Sequence, residues 1–251
     1  MPWEAGYFLD ISGMSDSQET AIKMEALLDK ERLLKVQAIK EGKARALAIG
    51  AGLLLRLAYV CARGRCETSS NLQPRHRDIV STGTTCVRGQ YEILTPEELL
   101  EEVGKLPLDL EPRYCIGAHG KPYFQDEAFF FSLSHSEELV LCAVSDHEIG
   151  VDVQMITGMD WKKLADRFYS EEETVYLQTL SARSGEDARE EFFRLWCRKE
   201  AYGKMTGKGA APYLNKSFLG QVDGVVIKED AVAIRDNKYH FCVSRSVKAG
   251  I

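Results

Sequence analysis

The segment that most constrains the fold is residues 191–204, which read EFFRLWCRKEAYGK. It contains no proline, and its apolar residues recur at helical spacing, so it predicts one amphipathic helix. Trp196, Glu200 and Lys204 are spaced four residues apart and therefore share one stripe of that helix. A carboxylate one turn before an ammonium is common on solvated helix faces, so the Glu200–Lys204 pair alone does not define a site.

A second segment, residues 149–154, reads IGVDVQ and has the alternation of a short β-strand. Asp152 and Gln154 project from the same face of such a strand. Asp152 on this strand and Glu200 on the helix together supply two hard oxygen ligands. This sparse set suits Mg²⁺, because the ion keeps several waters and substrate phosphates in its shell. For Asp152 alone, a turn or edge carboxylate without a metal is the simpler interpretation.

The two segments together carry a family resemblance. Ile-Gly-Val-Asp, followed further along by Phe-x-x-Leu-Trp-x-x-Lys-Glu-Ala-x-x-Lys, resembles the 4′-phosphopantetheinyl transferase superfamily. The length of 251 residues is similar to that of its monomeric, surfactin-synthetase-activating type. The resemblance implies an α+β fold of two similar α+β subdomains in a pseudo-twofold arrangement. Residues 1–134 are the expected N-terminal half, with a long surface insertion at about 61–112, and residues 135–251 are the C-terminal half with the metal-binding motifs.

The activity implied by the resemblance is the Mg²⁺-dependent transfer of 4′-phosphopantetheine from coenzyme A to a serine of an acyl or peptidyl carrier protein. Adenosine 3′,5′-bisphosphate is the other product. Asp152 and Glu200 are the expected metal ligands, and Asp152 counts for this reason among the catalytic residues. Gln154 stands where many family members have Glu, so it is expected to act on the metal through a water or not at all. Glu200 is expected to accept the serine proton, and Lys204 to neutralise or protonate the leaving phosphate.

The resemblance also implies a set of residues that contact coenzyme A, mostly through its phosphates. They are Arg32, Lys35, Lys121, Ser134, His135, Lys199 and Lys204. Ser134 and His135 match residues that hold phosphates of coenzyme A in the family. Lys121 matches the lysine of the family's Gly-Lys-Pro turn, which also approaches the coenzyme. Arg32 and Lys35 are assigned by counting back from Arg56 without gaps. They then fall where the family places cations for the 3′-phosphate. Trp196, by contrast, is expected to pack in the core.

Each of these patterns has a plainer interpretation. A Ser-His dipeptide is more often a turn than a catalytic dyad, and no third partner completes a hydrolase triad. Gly-Lys-Pro is commonly a surface turn, and clustered lysines usually mark a solvated helix face. The rival function is a module that binds coenzyme A or a nucleotide without chemistry, which predicts binding that is indifferent to Mg²⁺ and to Glu200. Another phosphotransferase is disfavoured because the sequence has no phosphate-binding loop motif or kinase signature.

Composition limits the setting. A formal net charge of −6 and a pI near 5.5 argue against a general nucleic-acid binder. Seven cysteines form no Cys-x-x-Cys pair, which favours reduced thiols in a cytoplasmic protein. The most apolar window, residues 44–62, is interrupted by Arg45 and Arg56 and therefore predicts a buried helix and no membrane span. We expect a cytoplasmic monomer.

The remaining elements follow from periodicity and turn residues. One helix is expected to follow a turn at residues 13–17, with Ser17 and Thr20 as capping residues, and to run to about Glu41. Another is expected after the Thr95-Pro96 start signal. The further expected helices are 44–61, 159–168 and 170–180, with surface loops at 63–90 and 181–188. The expected strands are 7–12, 114–116, 128–133, 139–144 and 149–154, followed by a meander of 217–222, 225–228, 231–235 and 239–243. Residues 244–251 are expected to contribute no closing strand.

Overall fold

The computed structural model describes residues 3–16, 18–40, 42–67, 91–107, 109–125 and 127–249, which form a mixed α+β fold. The strands are β1 (Glu4–Asp10), β2 (Tyr91–Leu94), β3 (Tyr114–Ile116), β4 (Pro122–Phe124), β5 (Phe130–Ser136), β6 (Leu139–Ser145), β7 (His147–Met155), β8 (Val225–Ile234) and β9 (Asn237–Ala249). The helices are α1 (Ser12–Asp16), α2 (Gln18–Glu25), α3 (Lys30–Gln37), α4 (Lys43–Glu67), α5 (Pro96–Gly104), α6 (Trp161–Phe168), α7 (Glu171–Ser181) and α8 (Gly185–Thr206). A short 3₁₀ turn, Ala211–Tyr213, follows α8.

Two sheets and two long helices form the centre of the described structure. The first sheet has the order β2-β1-β6-β5, and the other has the order β7-β9-β8. Alternate residues of β1 separate two cores: Leu9 belongs to the cluster that includes α4, whereas Phe8 belongs to the cluster between the two sheets. Cys197 and Ala201 of α8 pack on Cys242 of β9 from the other side. The resulting layers are helix, sheet, sheet, helix.

Helix α4 is the core helix of the first sheet. Leu53, Leu54 and Ala58 on this helix are fully buried. Within the described residues, one helical segment, Lys43–Gly64, is long and apolar enough to cross a membrane by length and composition. However, 61% of its most apolar window is buried inside the protein. The sequence-based prediction of a buried helix is therefore confirmed for this segment.

The prediction of one continuous helix ending near Glu41 is wrong. The chain instead forms α2 and α3, separated at residues 26–29. Asp29 is the reason for the break, because its carboxylate accepts a hydrogen bond from the backbone N–H of Arg32 at 2.8 Å. This bond satisfies a donor at the start of a new helix, so it stabilises a helix N-terminus at this point of the chain.

The predicted insertion contributes to the fold. Its start continues α4 as far as Glu67, and β2 pairs in parallel with β1 as an edge strand of the first sheet. The start signal at Thr95 is confirmed as a full capping box with Glu98 at the head of α5. The loop expected at 63–90 lies largely outside the described residues. The domain boundary expected at residue 134 falls inside β5, and the chain passes from the first sheet to the other after Ser145.

The predicted four-strand meander is replaced by a two-strand hairpin. β8 is one continuous strand, and β9 extends through residues 244–249, where no closing strand was expected. β9 lies between β7 and β8 and is the central strand of its sheet. Residues 217–222 are not a strand, because the N–H of Phe218 donates to Glu173 and its carbonyl accepts from Arg198. Side chains thus take the hydrogen bonds that a ladder would need.

A buried ion cluster joins the two sheets. The side chain of Glu4 on β1 is only 4% exposed, and its carboxylate accepts from Arg245 of β9 at 2.9 Å. Lys228 of β8 lies 2.7 Å from the same carboxylate, and Tyr91 of β2 donates to it at 3.0 Å. Burial and the neighbouring carboxylate raise the pKa of Tyr91, so its phenol stays a donor.

We expect Arg245→Met to lower the free energy of unfolding by about 3 kcal/mol, because it leaves a buried carboxylate with incomplete charge compensation. Urea denaturation followed by circular dichroism measures this loss. Arg183→Met, at an exposed arginine, is the control and should change the midpoint little. Equal urea midpoints for the two variants would contradict the stabilising role of the Glu4–Arg245 pair.

Candidate active site

The site begins with a contact between two backbones. A Cβ atom on Gly150 of β7 would lie 2.0 Å from the carbonyl oxygen of Ala201 and 2.2 Å from the backbone nitrogen of Met205. Both distances are impossible for a side chain, so only glycine lets β7 approach α8 this closely. The glycine of the IGVD motif is therefore what allows strand and helix to pack at this distance.

Asp152 lies two residues further along β7 on the same face. It is 2% exposed, and three donors surround its carboxylate. Lys204 of α8 donates to Oδ1 at 2.8 Å, and the hydroxyl of Ser134 on β5 donates to the same oxygen at 2.8 Å. The amide of Gln154 donates to Oδ2 at 3.0 Å. Side chains from three different elements thus stabilise the charge of a buried carboxylate.

Glu200 lies one turn before Lys204 on α8 and is partly buried. Loss of hydration raises the pKa of Glu200, the negative charge of Asp152 raises it further, and the Lys204 ammonium opposes both effects. Lys204, one turn further along the same stripe of α8, contacts the Asp152 carboxylate at 2.8 Å. The structure therefore places Glu200 on the helix face that meets Asp152, although the two residues are far apart in the sequence.

The donor set fits a hard divalent cation. Among the described residues, no group of three or more His, Cys, Asp or Glu side chains is placed to hold a metal ion. The carboxylates that this site contributes are those of Asp152 and Glu200. Mg²⁺ binds through one or two carboxylates and completes its shell with waters and substrate phosphates. A bound cation would also favour the charged forms of both carboxylates, against the loss of hydration and the neighbouring charge that raise the pKa of Glu200. Gln154 is held by Asp152 at the edge of this pair.

Sequence reasoning missed the role of the alternating serines in the SLSHS segment of β5. Ser132 accepts from the N–H of Val151 at 3.0 Å, and Ser136 accepts from the N–H of Met155 at 2.9 Å. β7 is an edge strand, so these N–H groups have no ladder partner on that side. The alternation of serine along the strand was the available signal, since alternate residues share one face, but the sequence did not show which strand that face meets.

His135 projects from the opposite face of β5 and is exposed. Partial loss of hydration and the Lys204 ammonium lower the pKa of its imidazole. It follows Ser134 near the end of the strand, and its imidazole is open to solvent.

The cations predicted near the N-terminus converge on one aromatic ring. Arg32 donates to the hydroxyl of Tyr114 at 3.1 Å, and its guanidinium carbon is 5.5 Å from the ring centroid. Lys35 Nζ is 5.8 Å from the same centroid and pairs with Glu31. Tyr114 was missed as a partner, because its contact with Arg32 spans 82 residues. This group is separate from the residues that contact Asp152.

Two lysines take positions other than those expected. Lys121 is 9% exposed, and its ammonium pairs with Glu148 and donates to the carbonyl of Met205. Lys199 is fully buried, and its ammonium donates to Glu173 at 2.8 Å and to the carbonyl of Lys216. The interpretation of Lys199 as a phosphate contact is corrected: its donors are used inside the core that surrounds α8. Trp196 packs in the same core, as expected.

We expect Lys199→Met to lower the free energy of unfolding by about 3–5 kcal/mol, since it leaves the Glu173 carboxylate buried without its cation. Lys208→Met, at an exposed lysine just after α8, is the matched control. Urea denaturation of both variants measures the difference. A phosphate-binding Lys199 would instead leave the unfolding midpoint unchanged.

Comparison with known proteins relates part of the chain to one superfamily. Residues 148–248 match the sequence model of the 4′-phosphopantetheinyl transferase superfamily. The 4′-phosphopantetheinyl transferase gsp of Aneurinibacillus migulanus is 37% identical over 114 residues, which are 45% of this chain and 46% of that protein. HetI of Nostoc sp. strain PCC 7120 is 35% identical over 144 residues, 55% of each chain. Sfp of Bacillus subtilis strain 168 is 32% identical over 98 residues, 39% of this chain and 42% of Sfp.

The chain spans about half the length of the curated relatives it matches. The matched part contains Asp152, Glu200 and Lys204, the residues that the structure gathers at the contact of β7 and α8. The resemblance to the 4′-phosphopantetheinyl transferase superfamily predicted from the sequence is therefore confirmed for residues 148–248.

Proposed function

We propose that the protein transfers the 4′-phosphopantetheine group of coenzyme A to a serine of an acyl or peptidyl carrier protein. One observation carries the proposal: Asp152 is buried against Lys204 and close to Glu200, inside the segment that matches the transferase superfamily. A module that only binds coenzyme A does not explain why a half-buried Glu200 lies near a second carboxylate, because negative charges disfavour a polyanionic ligand.

The reaction is a displacement at phosphorus. The carrier serine oxygen forms a bond to the phosphorus that carries the pantetheine arm. The bond from that phosphorus to the bridging oxygen breaks, and adenosine 3′,5′-bisphosphate leaves with the electron pair. The serine proton goes to Glu200, directly or through a water. Enzymes accelerate such transfers mainly by positioning the groups and by stabilising charge.

Glu200 suits the role of general base because its environment raises its pKa above the ordinary value, so it holds a proton more firmly than an exposed glutamate. Lys204 is placed to serve the phosphate. Its side chain is 31% exposed although its ammonium contacts Asp152 and Ser134, so it can reach a phosphate in the open part of the site. There it would neutralise or protonate the leaving group.

Asp152 and Glu200 would hold Mg²⁺, with Gln154 acting through a water if at all. When bound, the ion screens the negative charge of the pyrophosphate. For the rest of coenzyme A, Ser134 and His135 would contact phosphate oxygens next to the Asp152 pocket.

Arg32 and Lys35 would hold the 3′-phosphate. The support for this assignment is that both cations converge on Tyr114, which fixes the guanidinium through its hydroxyl. A cation about 4 Å from a phosphate contributes up to about 4 kcal/mol before desolvation at an effective dielectric near 20.

The wider setting belongs to the same proposal. We place the protein in the cytoplasm as a monomer that acts on carrier proteins, without nucleic-acid or membrane partners. The pseudo-twofold arrangement of two α+β subdomains is supported by the layers, in which α4 covers one sheet and α8 covers the other. Superposition of one subdomain on the other in a crystal structure would test this symmetry.

We expect Glu200→Gln to lower kcat at least about a hundredfold, because it removes the proton acceptor and one metal ligand. The measurement is the mass gain of an apo carrier protein incubated with coenzyme A and Mg²⁺. Glu186→Gln, at an exposed carboxylate in the first turn of α8, is the matched control and should transfer normally.

Near-normal transfer by Glu200→Gln would contradict the mechanism. Tight coenzyme A binding without transfer to any of a panel of apo carriers, unaffected by EDTA, would support the binding module instead.

His135 gives a pH-dependent prediction. Its lowered pKa keeps the free imidazole mostly neutral at pH 7, and a bound phosphate raises the pKa by favouring the charged form. Coenzyme A binding should therefore take up protons at His135. The affinity should weaken as pH rises through the pKa of His135 in the phosphate-bound protein. Calorimetry near pH 7 in two buffers of different ionisation enthalpy measures the uptake. His135→Asn should take up fewer protons than wild type; equal uptake would contradict the phosphate contact.

A further inference from the structure

Lys121 occupies an unusual position for a residue in a surface-turn motif. It directly precedes β4, and its side chain is only 7% exposed. The ammonium pairs with the carboxylate of Glu148 and donates to the backbone carbonyl of Met205 at 2.7 Å. Tyr123 covers it, with the ring centroid 5.2 Å from Nζ. The donors of Lys121 are thus directed to protein groups inside a closed space.

The partners of Lys121 are parts of the two elements that build the site. Glu148 belongs to β7, four residues before Asp152, and Met205 directly follows Lys204 in the last turn of α8. The carbonyls of a last helical turn lack intrahelical donors and carry partial negative charge, so a cation there stabilises the helix end. Lys121 therefore connects the strand that carries Asp152 to the turn that carries Lys204.

The end of α8 also packs directly on the β3–β4 hairpin. Gly207 ends the helix in the left-handed conformation, with φ of 71°. A Cβ atom there would lie 3.1 Å from the hydroxyl of Tyr123 and 3.4 Å from Cδ of Lys121. The hairpin, the helix end and β7 consequently meet at Lys121, beside the contact between Gly150 and Met205.

We propose that Lys121 is a positioning residue: with Glu148 it fixes the last turn of α8 against β7 and so holds the ammonium of Lys204 at Asp152. This inference rests on the proposed transfer function, and it replaces the coenzyme A contact that the Gly-Lys-Pro resemblance implied. Lys121 acts through Lys204 and does not touch the substrate. Glu148 is a necessary member of the pair.

The test compares Lys121→Met, Glu148→Gln and the double variant in steady-state transfer to an apo carrier. We expect each single variant to lower kcat about tenfold or more, because small displacements of catalytic groups are costly, while KM for coenzyme A stays within about twofold. The double variant should be no slower than the slower single variant, because either change already removes the same interaction. The exposed pair Glu19→Gln with Lys23→Met is the matched control and should leave both constants unchanged.

A second measurement does not depend on activity. Hydrogen exchange of the amides at residues 203–207 should be faster in both single variants than in wild type, under conditions where circular dichroism shows folded protein. Glu148→Gln preserves side-chain shape and keeps the test available if Lys121→Met does not fold. A wild-type protein without transfer activity would refute the proposed function but leave this exchange test intact.

A direct coenzyme A contact predicts different results. Lys121→Met would then raise KM for coenzyme A at unchanged kcat, and Glu148→Gln would behave like wild type. Either of these results, or unchanged hydrogen exchange in both variants, would overturn the positioning role.

Discussion

The site depends on the direct contact between the backbones of β7 and α8 at Gly150. Since no side chain separates strand and helix there, the residues just beyond the contact on each element face each other. Asp152 on the strand and Glu200 and Lys204 on the helix are those residues. Partial burial of Glu200 raises its pKa, and the negative charge of Asp152 raises it further. The chemistry that we propose uses these two carboxylates to bind a divalent cation.

The remaining structure supports that contact with hydrogen bonds and buried ion pairs. The alternating serines of β5 satisfy the free N–H groups of β7, and Ser134 extends the same arrangement to the carboxylate of Asp152. The Glu4 cluster joins the same two sheets through β1, β8 and β9. The buried Lys199–Glu173 pair fixes the opposite side of α8. Donors held in place before the substrate arrives need not reorganise during reaction, which is how preorganised sites stabilise developing charge.

Local patterns predicted the elements of the site but not their partners. The helix with Glu200 and Lys204 and the strand with Asp152 follow from periodicity and turn residues, because these signals act over a few residues. Lys199 shows the limit: its spacing is identical for a solvated cation and for a buried one, and only Glu173, 26 residues earlier, decides between them. Lys121 likewise depends on Met205, 84 residues away. The strand at 244–249 was missed because its strength comes from lying between β7 and β8, which its own residues do not show.

The central claim is that Asp152 and Glu200 form one divalent-cation site. Titration of the protein with Mn²⁺, followed by electron paramagnetic resonance in the presence of coenzyme A, tests it most directly. The account predicts one site per chain in the wild type, and at least about tenfold weaker binding in both Asp152→Asn and Glu200→Gln. Wild-type affinity in either folded variant would show that the two carboxylates do not share an ion, and would contradict the account.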